Sequence, residues 1–311
     1  MTLFHHFSSK SSVEKFEMMQ MNVVDNTKIS SKPTVVWMSD FGDTDAVGTC
    51  EQMVKRCCSE IDFIRFNNNI NQFGIEHGSI VLQRSKDFQD GTVFCGVVDP
   101  GVGTTRKPII LKSKKRDFFF IGPNNGLFTD VAELFGIDSL WEIIPEKGNP
   151  NWKGFTFDGR DLYAPVAGMM AILKDDGLDL LAKKIDIVDF VKLNTDQRVN
   201  KIQDGSDGLK LKVVAIDEPF GNLWTCGNAA DFESIGIKKG DEIIIQISST
   251  KERILVKWVH AFGDVSYHER LAYLDSRNGI GNGFFAIAIN QGSFRNEYKI
   301  MPGDFIEIYK K

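Results

Sequence analysis

The hydrophobic pattern of this chain changes character once, and that change constrains the fold more than any single motif does. From Pro33 onward, short apolar runs alternate with amphipathic segments, as parallel α/β units do. VVWMS (35–39) reads as a buried strand, and Val47, Cys50, Val54 and Cys57 then recur at helical spacing. IDFIRF (61–66) reads as a strand, residues 75–84 as a helix and TVFCGVVD (92–99) as the next strand. PIILK and FFFIG supply further strands, and residues 126–135 and 161–174 further helices. The polar stretch NTDQRVNKIQDGSDG (194–208) breaks this rhythm and has the composition of a linker. Beyond it, LKLKVVAID, DEIIIQIS, RILVKWVH, GFFAIAI and GDFIEIYK are strand-like runs separated by Gly, Asp and Asn turns, with one short helix near 228–235. The expected fold class is α/β: an N-terminal α/β/α sandwich domain over 33–193, a linker over 194–208, and a C-terminal mostly-β, barrel-like domain over 209–311.

With 311 residues and 42% hydrophobic content, the chain has enough apolar surface for two cores. Residues 1–32 are polar and rich in Ser and Lys, and read as a disordered extension. They contain no apolar h-region, and no apolar stretch in the chain approaches the length that crosses a bilayer, so a cytoplasmic protein without membrane contact is expected. The net charge of −5, with no long basic run, argues against nucleic acid as a partner. Five cysteines without a CxxC pair read as buried thiols of a reducing compartment.

Five segments carry chemistry. SDFGDTDAVG (39–48) puts Asp40, Asp43 and Asp45 at the carboxyl end of the first strand, where open α/β sheets hold ligands. These carboxylates suit either Mg²⁺ or a molecule bearing hydroxyls and ammonium groups, and their spacing matches no calcium loop. VVDPGVGTTR (97–106) ends a strand with Asp99 and places Arg106 after a Gly-rich turn. GFTFDGRDLYAPVAG (154–168) holds Asp158, Arg160 and Asp161 before a helix; Asp161 suits a helix cap and Arg160 a salt bridge. AIDEPFGNLWT (215–225) gathers Asp217, Phe220, Asn222 and Trp224 at a turn, offering a purine an aromatic face and an amide. LDSRN (274–278) adds Ser276 and Arg277, suited to a carboxylate.

In this order, SDFG, VDPGVGT, GPNNGL (122–127), TFDGRD, IDEPFGNLWT and the Ser276–Arg277 pair resemble the family of S-adenosyl-L-methionine (SAM) hydroxide adenosyltransferases, with the SAM-dependent fluorinases and chlorinases, from about Val35 to Ile308. The resemblance implies a homotrimer that binds SAM between the N-terminal domain of one subunit and the C-terminal domain of its neighbour. It assigns Asp40 to the ribose diol and Phe73 to the ribose side. Phe220, Asn222 and Trp224 match the adenine side, with Tyr267 as a second aromatic wall. Asp45, Asn194, Ser276 and Arg277 match the methionine end, and Thr156, Phe157 and Asp217 join the same substrate-binding set. Asp99 and Arg106 match two members of the hydrolase triad that positions water at the ribose C5′ carbon; the third, a histidine, is Asp158 here. No metal and no cofactor are implied, SAM itself being the substrate.

The expected reaction is hydrolysis of SAM to adenosine and L-methionine, with Asp99, Arg106 and Asp158 as the catalytic group. The alternatives are a non-catalytic protein that binds SAM or adenosine, or a member that uses another nucleophile. Halide is disfavoured, because a carboxylate about 4 Å from it costs about 4 kcal/mol at an effective dielectric of about 20.

Overall fold

In a computed structural model that describes residues 32–154, 156–202, 207–275 and 283–311, the apolar run after Pro33 forms β1 (Thr34–Ser39), buried from Val35 onward. The chain divides into two compact units at Leu193/Asn194. The expected disordered extension, residues 1–32, lies outside the described residues except for Lys32.

In the first unit, β1 is followed by α1 (Asp45–Cys57), β2 (Asp62–Asn67), α2 (Ile75–Leu82), β3 (Val93–Val97), β4 (Pro108–Ser113) and β5 (Phe119–Pro123). α3 (Thr129–Phe135), β6 (Ile137–Ile143), α4 (Pro145–Gly148), α5 (Ala164–Leu173), α6 (Leu178–Leu181) and β7 (Ala182–Ile185) complete it. The seven strands form one sheet in the order β2-β1-β3-β5-β4-β6-β7. The first four in that order run parallel, and β4, β6 and β7 pair antiparallel. Successive side chains of a strand face opposite layers, and here both layers are covered. Val35 and Trp37 pack against α1 and α5 through Val47, Val54 and Val166. Phe94, Phe118 and Phe120 meet Phe128 and Phe135 on the other side, with Phe94 and Phe120 stacked 5.0 Å apart. Coverage of both faces is why these strands read as continuous apolar runs.

The expected α/β/α sandwich is present, with two strands that the periodicity had not marked. β6 mixes Asp138 and Glu142 with apolar residues, and the short β7 (AKKI) sits at the sheet edge with Lys183 and Lys184 exposed. Charges of this kind keep an edge strand from pairing onward. All five cysteines are free and buried, and burial pushes the Cys50 and Cys57 thiols up to about 12.

The second unit is a β-barrel. Its strands are β8 (Val199–Lys201), β9 (Gly208–Asp217), β10 (Asn222–Thr225), β11 (Glu242–Ile247), β12 (Arg253–Trp258), β13 (Arg270–Leu274), β14 (Phe285–Ile289) and β15 (Phe305–Lys310). They run in the order β10-β14-β13-β12-β11-β15-β9-β8, and pairing of β10 with β9 closes the ring. Strict alternation along β12, exposed then buried, fills the interior with Ile254, Val256 and Trp258. Phe232 of α7 (Ala229–Glu233) stacks on Phe285 at 4.2 Å, and Asn228 caps that helix in a reciprocal pair with Asp231. α8 (Phe294–Tyr298) packs Phe294 into the same core.

Three details differ from the sequence reading. Val199–Lys201, within the stretch read as a linker, pairs with β9, because Val199 packs on the barrel core. AIDEPFGNLWT is a tight hairpin, so Asn222 and Trp224 are strand residues of β10. β13 was not anticipated; its central residues are buried between β12 and β14. Among the described residues no helix is long and apolar enough to cross a membrane.

Close backbone approach at Gly122 of β5 yields a prediction. A Cβ there would stand 2.2 Å from the Gly96 carbonyl oxygen on β3. Gly122→Ala is therefore expected to cost about 1–3 kcal/mol, seen as a lower urea midpoint; an unchanged midpoint would contradict that contact.

Candidate active site

β1 and β3 lie side by side and parallel, but β1 leads through α1 to β2 at the sheet edge, and β2 returns through α2 to β3 on the other side. Where connections part in this way, a crevice opens at the carboxyl ends of the strands. Ser39 pairs in register with Val97, so the residues just beyond them, Asp40 and Asp99, reach the same mouth. Both line a cavity of about 230 Å³, together with Phe73, Thr156, Phe157 and Asp158.

Asp40 accepts a hydrogen bond from the Phe73 backbone N–H at 2.9 Å. Burial pushes its carboxyl above the usual range; the Phe73 bond opposes this and the nearby Asp99 charge adds to it. Phe73 itself has φ +61 and is 62% exposed. That conformation costs a bulky residue roughly 1–3 kcal/mol. It is held by the Asp40 bond and by backbone bonds from Gly74 to Asn71 and from Ile75 to Phe73. Strain maintained in this way presents an aromatic ring at the cavity mouth.

Arg106 joins the two remaining carboxylates. Its Nε donates to Asp99 Oδ2 and Oδ1 at 2.8 and 3.1 Å. One terminal nitrogen donates to Asp99 at 2.5 Å and to Asp158 at 2.6 Å. All three side chains are largely buried. Burial works against the guanidinium charge, but the bonds to Asp99 and Asp158 outweigh it and hold its pKa above the usual value. The guanidinium also lies 5.5 Å from the centroid of the buried Tyr163 ring, and burial pushes the Tyr163 phenol well above its usual pKa. Two carboxylates against one guanidinium leave this cluster a formal charge of −1.

Local geometry explains how Asp158 arrives there. Asp158 precedes a π-type helical turn, Gly159–Tyr163, that runs straight into α5. At Gly159 any Cβ would meet the Phe41 ring at 3.0 Å, so glycine lets the backbone approach. Phe157 sets its ring edge-on to Phe41 at 5.6 Å. Arg160 covers Phe157 at 5.0 Å and pairs with Asp161 at 2.6 Å, so these two charges serve each other.

The second unit has a larger cavity, of about 1250 Å³. Asp217 and Asn222 face each other across the β9–β10 hairpin, the Asn222 amide donating to Asp217 at 3.2 Å. Both line this cavity with Phe220, which is 63% exposed. Phe262 and Tyr273 form an aromatic wall with centroids 5.1 Å apart. Asn290 fixes the Phe262 loop by donating to the Phe262 and Val265 carbonyls.

Several residues singled out from the sequence stand elsewhere. Trp224 is buried and Tyr267 is 70% exposed, and neither lines the cavity. Phe262 and Tyr273 line that cavity, and nothing in the linear sequence set them apart from core aromatics. Asp43 and Asp45 are exposed at the start of α1 and do not join Asp40 in its cavity. Asn194 is exposed and accepts from the Asp196 backbone at 2.9 Å, a local turn contact. Ser276 and Arg277 lie outside the described residues. Trp152, which the sequence reading did not mark, donates to Asp158 at 2.9 Å.

Comparison with known proteins covers both units. The family model of the SAM hydroxide adenosyltransferase N-terminal domain matches residues 35–177, and that of the C-terminal domain matches residues 211–307. The chain is 29% identical over 285 residues to the (R)-S-adenosyl-L-methionine hydrolase of Salinispora tropica, covering 89% of this chain and 97% of that protein. It is 24% identical over 309 residues to the fluorinase of Actinopolyspora mzabensis, with the same coverage of 89% and 97%. A solved structure of a conserved protein from Thermotoga maritima is similar at a TM-score of 0.77 and 30% identity, covering 89% of this chain and 100% of that one.

The ion cluster predicts a measurable cost. Arg106→Met leaves two buried carboxylates without their cation and is expected to lower stability by about 3–5 kcal/mol. Denaturant unfolding checks this, and a loss below about 1 kcal/mol would mean that the carboxylates are solvated.

Proposed function

This chain belongs to the SAM hydroxide adenosyltransferase family, and we propose that it hydrolyses SAM at the ribose C5′ carbon to adenosine and L-methionine. The observation that carries the reading is Asp99, buried at the cavity mouth and held through both oxygens by Arg106. Water attacks C5′ in line with the C–S bond. The new O–C5′ bond forms as C5′–S breaks, and the electron pair returns to sulfur, turning the sulfonium into a neutral thioether that needs no general acid. Asp99 takes the proton of the attacking water, so its work is alignment plus general-base catalysis. Asp40 accepts hydrogen bonds from the ribose diol, with Phe73, Thr156 and Phe157 beside the sugar, while Phe220, Asn222 and Asp217 serve the adenine. In the same reading the protein is cytoplasmic, homotrimeric and free of any cofactor.

Relatives named fluorinase raise halide as the competing nucleophile. The cluster charge of −1 favours water instead: a halide brought beside it loses electrostatic energy, whereas water donates a proton to a carboxylate.

Incubating the protein with SAM in the presence of chloride and fluoride, and separating the products by chromatography, tests this. Equal amounts of adenosine and methionine are expected; a 5′-halogenated 5′-deoxyadenosine would establish halide transfer, and intact SAM would overturn turnover, with calorimetric titration of SAM then deciding whether it binds. Asp99→Asn is expected to lower turnover by about a hundredfold or more while SAM affinity is largely kept; equal loss of both would remove Asp99 as the base.

A pH dependence follows from Asp40. The diol needs its ionised form and its pKa is raised by burial, so adenosine affinity is full above that pKa and falls as pH drops through it, at a higher pH than an ordinary aspartate would give. Calorimetric titration of wild type and Asp40→Asn checks this, the variant losing both affinity and that acid limb.

A further inference from the structure

We propose that Trp152 is a positioning residue for the reaction, acting through Asp158 to keep Arg106 and Asp99 in place; this deepens the hydrolase reading and rests on it. An aspartate at position 158 creates a difficulty for the base. It brings a second carboxylate to a guanidinium already engaged by Asp99. A free Asp158 would pull on the terminal nitrogen that also holds the base.

The indole provides the counterweight. Trp152 Nε1 donates to Asp158 Oδ1 at 2.9 Å, while Arg106 donates to Oδ2 at 2.6 Å. With one donor on each oxygen, the carboxylate plane is fixed from two sides. Asp158 thus serves as an anchor for the guanidinium, and the proton from water is left to Asp99.

The segment carrying Trp152 is built around that ring. The Trp152 N–H donates to the Asn149 carbonyl at 2.9 Å, and the Asn149 amide donates to the Asp161 carbonyl at 2.8 Å. This ties the segment to the loop that carries Asp158. Gly154, at φ +68, would place any Cβ 3.2 Å from the indole, so glycine there leaves the ring its space. The ring's apolar part packs on the core of this unit. Packing alone would be met by Phe; the hydrogen bond to Asp158 requires the indole N–H.

The test compares Trp152→Phe, Asp158→Asn and the double variant with wild type, reading kcat and KM for SAM hydrolysis beside the indole N–H resonances of ¹⁵N-tryptophan-labelled protein. The resonance missing in Trp152→Phe identifies Trp152. The expected result is a kcat loss of about tenfold in Trp152→Phe with KM changed less than about threefold. The Trp152 resonance moves in Asp158→Asn, and the double variant is no slower than the slower single one, because the two residues act along one path. Wild-type kcat in Trp152→Phe, or losses that multiply in the double variant, overturns the positioning role while SAM hydrolysis stands. A resonance unmoved in Asp158→Asn overturns the hydrogen bond itself. Wild-type protein that leaves SAM intact overturns both readings.

Discussion

One guanidinium shared between two buried carboxylates sets the terms for the N-terminal unit. Removing three charges from water is costly, and their attraction offsets that cost only where the geometry is tight and the remaining polar atoms find partners. Arg106 meets both conditions: it chelates Asp99, reaches Asp158 with the same terminal nitrogen and lies against Tyr163. The three charges come from separate places, Asp99 from the end of β3, Arg106 from a glycine-rich turn and Asp158 from the start of a π-type turn. Gly103 at φ +77, with the Thr104 hydroxyl bonded to the Gly101 carbonyl, folds the turn back so that Arg106 faces the residue seven before it. A sheet covered on both faces gives these segments a rigid base.

The barrel unit solves a different problem. A closed ring of strands has no exposed edge to manage, and its interior is filled by Ile, Val, Trp and Phe from alternating positions. Buried polar groups include the hairpin pair Asp217 and Asn222 and Asn290, whose amide reaches the Phe262 and Val265 carbonyls. The rings that line the cavity therefore rest on polar contacts, while the rings inside the barrel rest on one another.

Much of this was legible in the chain itself. The first strand and α1 announced themselves through an apolar run followed by Val47, Cys50, Val54 and Cys57, the four residues that α1 buries. Asp40, Asp99, Arg106 and Asp158 were visible as charges at strand mouths and in Gly-rich turns. β6, β7 and β13 were not, because edge position and neighbouring strands, more than local periodicity, decide whether such mixed segments pair. Trp224 and Tyr267 illustrate the same limit: an aromatic near a ligand turn looks alike in sequence whether it packs inward, faces solvent or lines a cavity. Trp152 left no sequence signal, since its partner lies six residues on, across a bend that only the folded loop creates.

Periodicity and composition by themselves determined the two-unit plan, the covered sheet, the barrel and the segments bearing charge, because these follow from which residues leave water and at what spacing. Tertiary structure alone decided that Asp40 and Asp99 share one crevice, that a single guanidinium serves both Asp99 and Asp158, and that an indole stands behind the second of these. Such facts depend on strand order and on hydrogen bonds a few ångströms long between residues distant in the chain, and no local pattern encodes those distances.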